Sequence, residues 1–185
     1  MPFRINRPCI SNLWNLWNLW NLWNLWNLWT NPFPRNCMAK RNEPVRKSVK
    51  DTLEDLLAGH REAAFSGPES ALKYLRRTFE AQASLPNAVK AVAYDLSGEA
   101  QAQCGHWEAC TESVALALGY LPDLEAAFPH EFRRLLEGLS CFERGIQAHS
   151  ELGDFHGALE LCERAIALGL GAHYAAKRDS LQWAR

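Results

Sequence analysis

From Ser48 onward, glycines and prolines punctuate stretches in which apolar residues recur every three or four positions. Such spacing buries one side of a segment only if the backbone winds at about 3.6 residues per turn, so each stretch reads as an amphipathic helix. Strands lack material, because β-branched residues are sparse and Ala, Leu, Glu and Arg dominate. The punctuation predicts helices over 48–65, 68–83, 87–104, 106–118, 129–152, 154–168 and 172–184, with a short turn over 123–127. Leu53, Leu56, Leu57 and Ala64 share a face of the first, and Ala71, Leu72, Leu75 and Phe79 a face of the second. The long fifth helix carries Phe132, Leu135, Leu136, Leu139, Phe142 and Ile146 as one stripe. An all-α fold of about seven helices in antiparallel pairs follows.

Ahead of this body stands a tract of another kind: residues 12–29 are six copies of Asn-Leu-Trp and hold six of the chain's eight tryptophans. A three-residue period advances about 300° per copy on a helix, so the indoles wrap around the axis instead of forming a face. On a strand, alternate indoles fall on opposite sides. Two readings stand for the tract: a sticky interfacial segment, since Trp favours boundaries and interfaces, or a translated nine-base repeat lying upstream of a native start at Met38. The division expected is a disordered head over 1–45 and a helical domain over 46–185.

Charge separates the same two parts. Up to Asn42 there are five bases (Arg4, Arg7, Arg35, Lys40 and Arg41) and no acid, while the remainder holds 15 bases and 21 acids. An acidic body has no basic stripe for phosphates, so nucleic acid is not an expected ligand. No apolar run reaches the roughly 18 residues of a membrane span, Asn interrupts each candidate leader run, and the cytoplasm is the expected compartment. Of the six cysteines, Cys104, Cys110, Cys141 and Cys162 stand at apolar helical positions and read as reduced small hydrophobes.

Sliding the body by 48 residues lays Gly105-His106-Trp107 on Gly153-Asp154-Phe155, and Ala117-Leu118 on Ala165-Ile166. Tyr94, Ser97, Gly98, Cys110, Val114, Ala117 and Pro122 give an aromatic, a small pair, a small residue, an apolar residue, Ala and Pro in order. Phe142, Gly145, Gly153, Ala158, Cys162 and Ala165 give a second copy, in which Ile146 replaces a small residue and Leu170 the proline. This pattern resembles the tetratricopeptide repeat, a helix-turn-helix unit of about 34 residues. An earlier copy over 52–85 is degenerate, and its first helix fits two registers. The likeness covers 52–185. It implies an α-solenoid of about three helix pairs with the last helix as a cap, Cys110 and Ala158 at the helix crossings, and a concave surface that binds other proteins.

Carried onto this chain, the resemblance places Asp95, Glu99, Ala102 and Gln103 of the third helix, and Glu143, Gln147, Ser150 and Glu151 of the fifth, along that groove. The implied partner is a protein or peptide with a basic or amide-rich segment, met by a monomer or weak homo-oligomer, with no membrane and no cofactor. A sensory domain of a transcription-control system is the second reading, and an enzyme the third. Cys104, His106 and Cys110 lack a fourth donor for zinc. His149, His156 and Cys162 admit a Cys-His nucleophile only if they meet in space. No catalytic or metal site is expected.

Overall fold

The first described helix begins where two side chains reciprocally cap its loose amides. Ser48 Oγ accepts the Asp51 amide at 3.1 Å, and the Asp51 carboxylate accepts the Ser48 amide at 3.2 Å. The computed structural model of the 185-residue chain describes residues 47–81 and 85–183, all within one unit spanning Pro44–Arg185. The expectations for residues 1–45 therefore lie outside the described residues.

From this cap runs α1 (Val49–Phe65), followed by α2 (Pro68–Ala81), α3 (Asn87–Gln103), α4 (Trp107–Gly119) and α5 (Leu121–Ala127). Then come α6 (Phe132–Gly138), α7 (Cys141–Glu151), α8 (Phe155–Ala167) and α9 (Ala172–Trp183). The described residues are all-helical, with no strand among them. None of these helices is long and apolar enough to cross a membrane.

Three turns repeat one design. After α3, Gly105 takes φ 74°, its amide donates to Ala102 O, and the His106 amide reaches back to Gln101 O at 2.9 Å. Gly153 after α7 (φ 74°) and Gly169 after α8 (φ 70°) do the same, with Asp154 donating to His149 O at 2.8 Å and Leu170 to Ala165 O at 3.0 Å. Each is the paired-bond helix stop that needs a left-handed residue. The turn after α1 departs from the design because Pro68 has no amide to donate.

Consecutive helices lie against one another from α1 to α4 and again from α7 to α9. Across the pairs, α1 touches α3, α3 touches α5 and α7, and α4 touches α7. The first and third pairs close at a glycine too tight for a Cβ, while at Gly98 in the second a Cβ would make ordinary contact. A Cβ on Gly59 would stand 2.3 Å from Tyr74 Oη, one on Gly98 would stand 3.4 Å from Val114 Cγ2, and one on Gly145 would stand 2.6 Å from Leu161 Cδ1. Cys110 and Ala158, at the α3–α4 and α7–α8 crossings, are fully buried.

Two sequence expectations are corrected. Residues 123–127 are not a turn but most of α5, which Pro122 helps to start from its first turn. The helix expected over 129–152 is two helices, α6 and α7, parted where Leu139 is extended at ψ 140°. Leu135, Leu136, Phe142 and Ile146 are buried as expected, whereas Phe132 and Leu139 are half-buried at the break.

Candidate functional site

The break between α6 and α7 exists because α3 supplies what a new helix start lacks. α7 opens with free amides, and its leading residue Ser140 makes no local side-chain cap. Asp95, midway along α3, faces that start: its carboxyl accepts the Ser140 hydroxyl at 3.3 Å, and the nearby Ser140 and Cys141 amides draw its pKa downward. One turn on, Arg144 of α7 meets Glu99 of α3 at 3.5 Å, both side chains being only about a tenth exposed (11% and 12%). The Cys110 thiol of α4 donates to the Arg144 carbonyl at 3.8 Å.

This cluster is buried, and its titrations follow. Burial, aided by the neighbouring Glu99 charge, pushes the Asp95 carboxyl up to about 7 against the pull of the Ser140 and Cys141 donors. Burial likewise raises Glu99, opposed by the Arg144 guanidinium. Burial pushes the Cys110 thiol up to about 11 and Cys141 well above its ordinary value, so both stay protonated near neutrality and are poor nucleophiles.

The structure therefore divides the residues expected along the groove. Asp95, at 4% exposure, and Ala102, at 7%, are interior. Glu99 is engaged between α3 and α7. Glu143 is drawn toward α9, where its carboxylate takes the Lys177 ammonium and His173 Nε2, the latter at 3.0 Å. Ser150 is half-buried and donates to Ile146 O at 2.7 Å. Gln103, Gln147 and Glu151 are the ones left open to water, Gln147 with its oxygen 3.3 Å from Arg144 Nη1. Sequence reasoning missed Ser140, His173 and Lys177, since no periodicity within one helix tells which neighbour its polar stripe will meet. Ser140 stands at the foot of an apolar stripe and Lys177 in a helix with little pattern, so neither carried a signal.

The side chains considered for chemistry have contacts of their own. His149 Nδ1 lies 2.7 Å from Asp154 Oδ2, while Asp154 Oδ1 accepts the Gly157 amide and caps α8. His156 faces Glu160 at 3.3 Å. Each imidazole thus meets a carboxylate, and Cys162 is fully buried. Cys104 is half-buried and Cys110 is packed inside. Among the described residues, no three His, Cys, Asp or Glu side chains are grouped to hold a metal ion.

No protein-family model matches the chain, and no curated protein or solved structure shows significant similarity to it.

Proposed function

We propose that the helical unit is a tetratricopeptide-like α-solenoid, three helix pairs closed by α9, that works as a non-catalytic scaffold for a partner protein. One observation carries this reading. The α3–α4 and α7–α8 hairpins share the same glycine turn with the same pair of backbone bonds, while among the described residues each pair makes its main contacts with its neighbours along the chain. Stacks in which each unit meets only its neighbours curve and offer a long inner surface.

Along that surface, Asp95, Glu99 and Arg144 serve as framework that fixes α3 against α7. The partner meets the open residues Gln103, Gln147 and Glu151. Two amides and one carboxylate suit a segment carrying backbone polar groups and a basic side chain, with charge governing encounter rate and orientation more than affinity. The test is capture of the partner from lysate by the full chain and by a Gln103→Lys, Gln147→Lys, Glu151→Lys variant of unchanged helical content. Loss of one specific partner supports the reading. Retention of every partner sinks it.

A further inference from the structure

The first helix pair holds a separate hollow of about 930 Å³, between the start of α1, the end of α2 and the Leu85–Pro86 turn. Its size is that of ligand and peptide clefts. Leu56 and Leu85 lie beneath it, almost fully buried, and Tyr74, Ala81 and Pro86 are its more open apolar lining.

The rim chemistry identifies the occupant. Lys47 is already paired with Asp55 at 2.5 Å, so these two cancel. Arg77 is exposed and enters no ion pair among the described residues, which leaves the rim one positive charge in surplus. A guanidinium fork matches a carboxylate with two parallel bonds. Thr52 and Thr78, both in the lining, spend their hydroxyl protons on the carbonyls of Ser48 and Tyr74, at 2.9 Å and 3.0 Å, which leaves their oxygens only acceptor capacity. The Tyr74 hydroxyl reaches the carbonyls of Asp55 and Leu56 only at 3.5 Å and 3.4 Å, long enough to be given up. Hydroxyl acceptors beside an apolar lining serve peptide amides, whereas a bare alkyl chain leaves them unused.

We propose that this hollow is a second docking site, which takes an acidic peptide segment of a partner with an apolar side chain on Tyr74, Ala81 and Pro86 and a carboxylate on Arg77. Its charge preference is opposite to that of the α3–α7 surface, so the two sites distinguish two segments. It stands whether or not that surface binds anything.

The test is fluorescence anisotropy of the full chain with two labelled peptides, one of two leucines followed by two glutamates, the other with lysines in place of the glutamates. The unmodified chain binds the glutamate peptide with a Kd under about 1 mM and the lysine peptide at least about tenfold more weakly. Arg77→Glu reverses that order. Ala81→Trp, which fills the hollow from an exposed position, abolishes both, and the Gln103→Lys, Gln147→Lys, Glu151→Lys variant binds like the unmodified chain. Three results overturn the proposal: no binding by the unmodified chain, equal binding by it and both hollow variants, or equal affinity for the two peptides. Displacement of the peptide by decanoate at lower concentration than by unlabelled peptide makes the occupant a fatty acid and overturns it as well.

Discussion

His60 and Asp95 are buried ionisable groups whose titrations pull stability in opposite directions. His60, 6% exposed on the inner face of α1, has an Nε2 without a hydrogen-bond partner, and burial lowers its pKa to about 4. Folding thus favours neutral imidazole. Its contribution is whole above the unfolded value of about 6.5 and is lost as pH falls from there toward 4, by on the order of 3 kcal/mol. Asp95, raised to about 7, behaves conversely: folding favours the protonated acid, and stability is lost as pH rises from about 4 through 7. Urea titrations at about pH 5 and about pH 7.5 separate the two. His60→Leu gains stability over the unmodified chain mostly at the lower pH. Asp95→Asn, which keeps an acceptor for the Ser140 and Cys141 amides, gains mostly at the higher. Differences that do not change with pH would mean that neither group is held in its neutral form. The side of α3 on which Asp95 stands was legible in its helical period, but its burial was not, because a carboxylate on a polar stripe looks the same whether water or a helix start faces it. His60 follows Leu53 by two turns and Leu56 by one, so its inward direction was open to reading from that stripe.

Among the helices, contact at the crossings decides what each position tolerates. Glycine inside a helix ordinarily loses about 1 kcal/mol to alanine, so Gly→Ala should stabilise wherever there is room. Around Gly119 nothing lies within 4 Å of an added Cβ, and Gly119→Ala is expected to raise stability by about 0.4–1 kcal/mol. At Gly145 the same Cβ would lie 2.6 Å from Leu161 Cδ1 and 2.8 Å from Val114 Cγ1; the half-buried Leu161 tip can turn aside, but buried, β-branched Val114 holds α7 against α4 and must be displaced. Gly145→Ala is therefore expected to lower stability by about 1–3 kcal/mol, and Ala158→Leu, on the other side of that crossing, by a similar amount. Thermal melts that rank Gly145→Ala with Gly119→Ala would show that the crossing is loose. The glycine and proline punctuation made most helix ends legible within a residue or two. The division of α6 from α7 was not, because Leu135, Leu136, Phe142 and Ile146 keep one period straight across it. What ends the period is Asp95, some 45 residues earlier in the chain, and α5 escaped because seven residues are too few to show a face.

Over the whole unit, charged side chains from distant segments close helix ends and bind the layers together. Asp95 sits on the positive end of α7. Arg133 of α6 donates to Leu168 O at 2.7 Å and Gly169 O at 2.5 Å past the end of α8, and Arg164 of α8 donates to Leu118 O at 3.0 Å near the end of α4. Both guanidiniums have the sign that the helix dipole favours at a C-terminal end. Because α1 and α2 meet α3 while α9 lies on α8, a defect at α9 must travel through α7 and α8 before it reaches the first pair. Tyr174 is the place to create one: it is 5% exposed and its ring meets Phe142 edge-on at 6.2 Å. Tyr174→Ala removes a buried aromatic body and is expected to lower stability by about 3 kcal/mol. In a quasi-one-dimensional stack that loss is local, so hydrogen exchange should quicken in α7, α8 and α9 while the amides of α1 and α2 keep their protection. Equal quickening from α1 to α9 would show that the unit opens as one cooperative core, and the stacked-pair architecture, with the curved inner surface drawn from it, would fall.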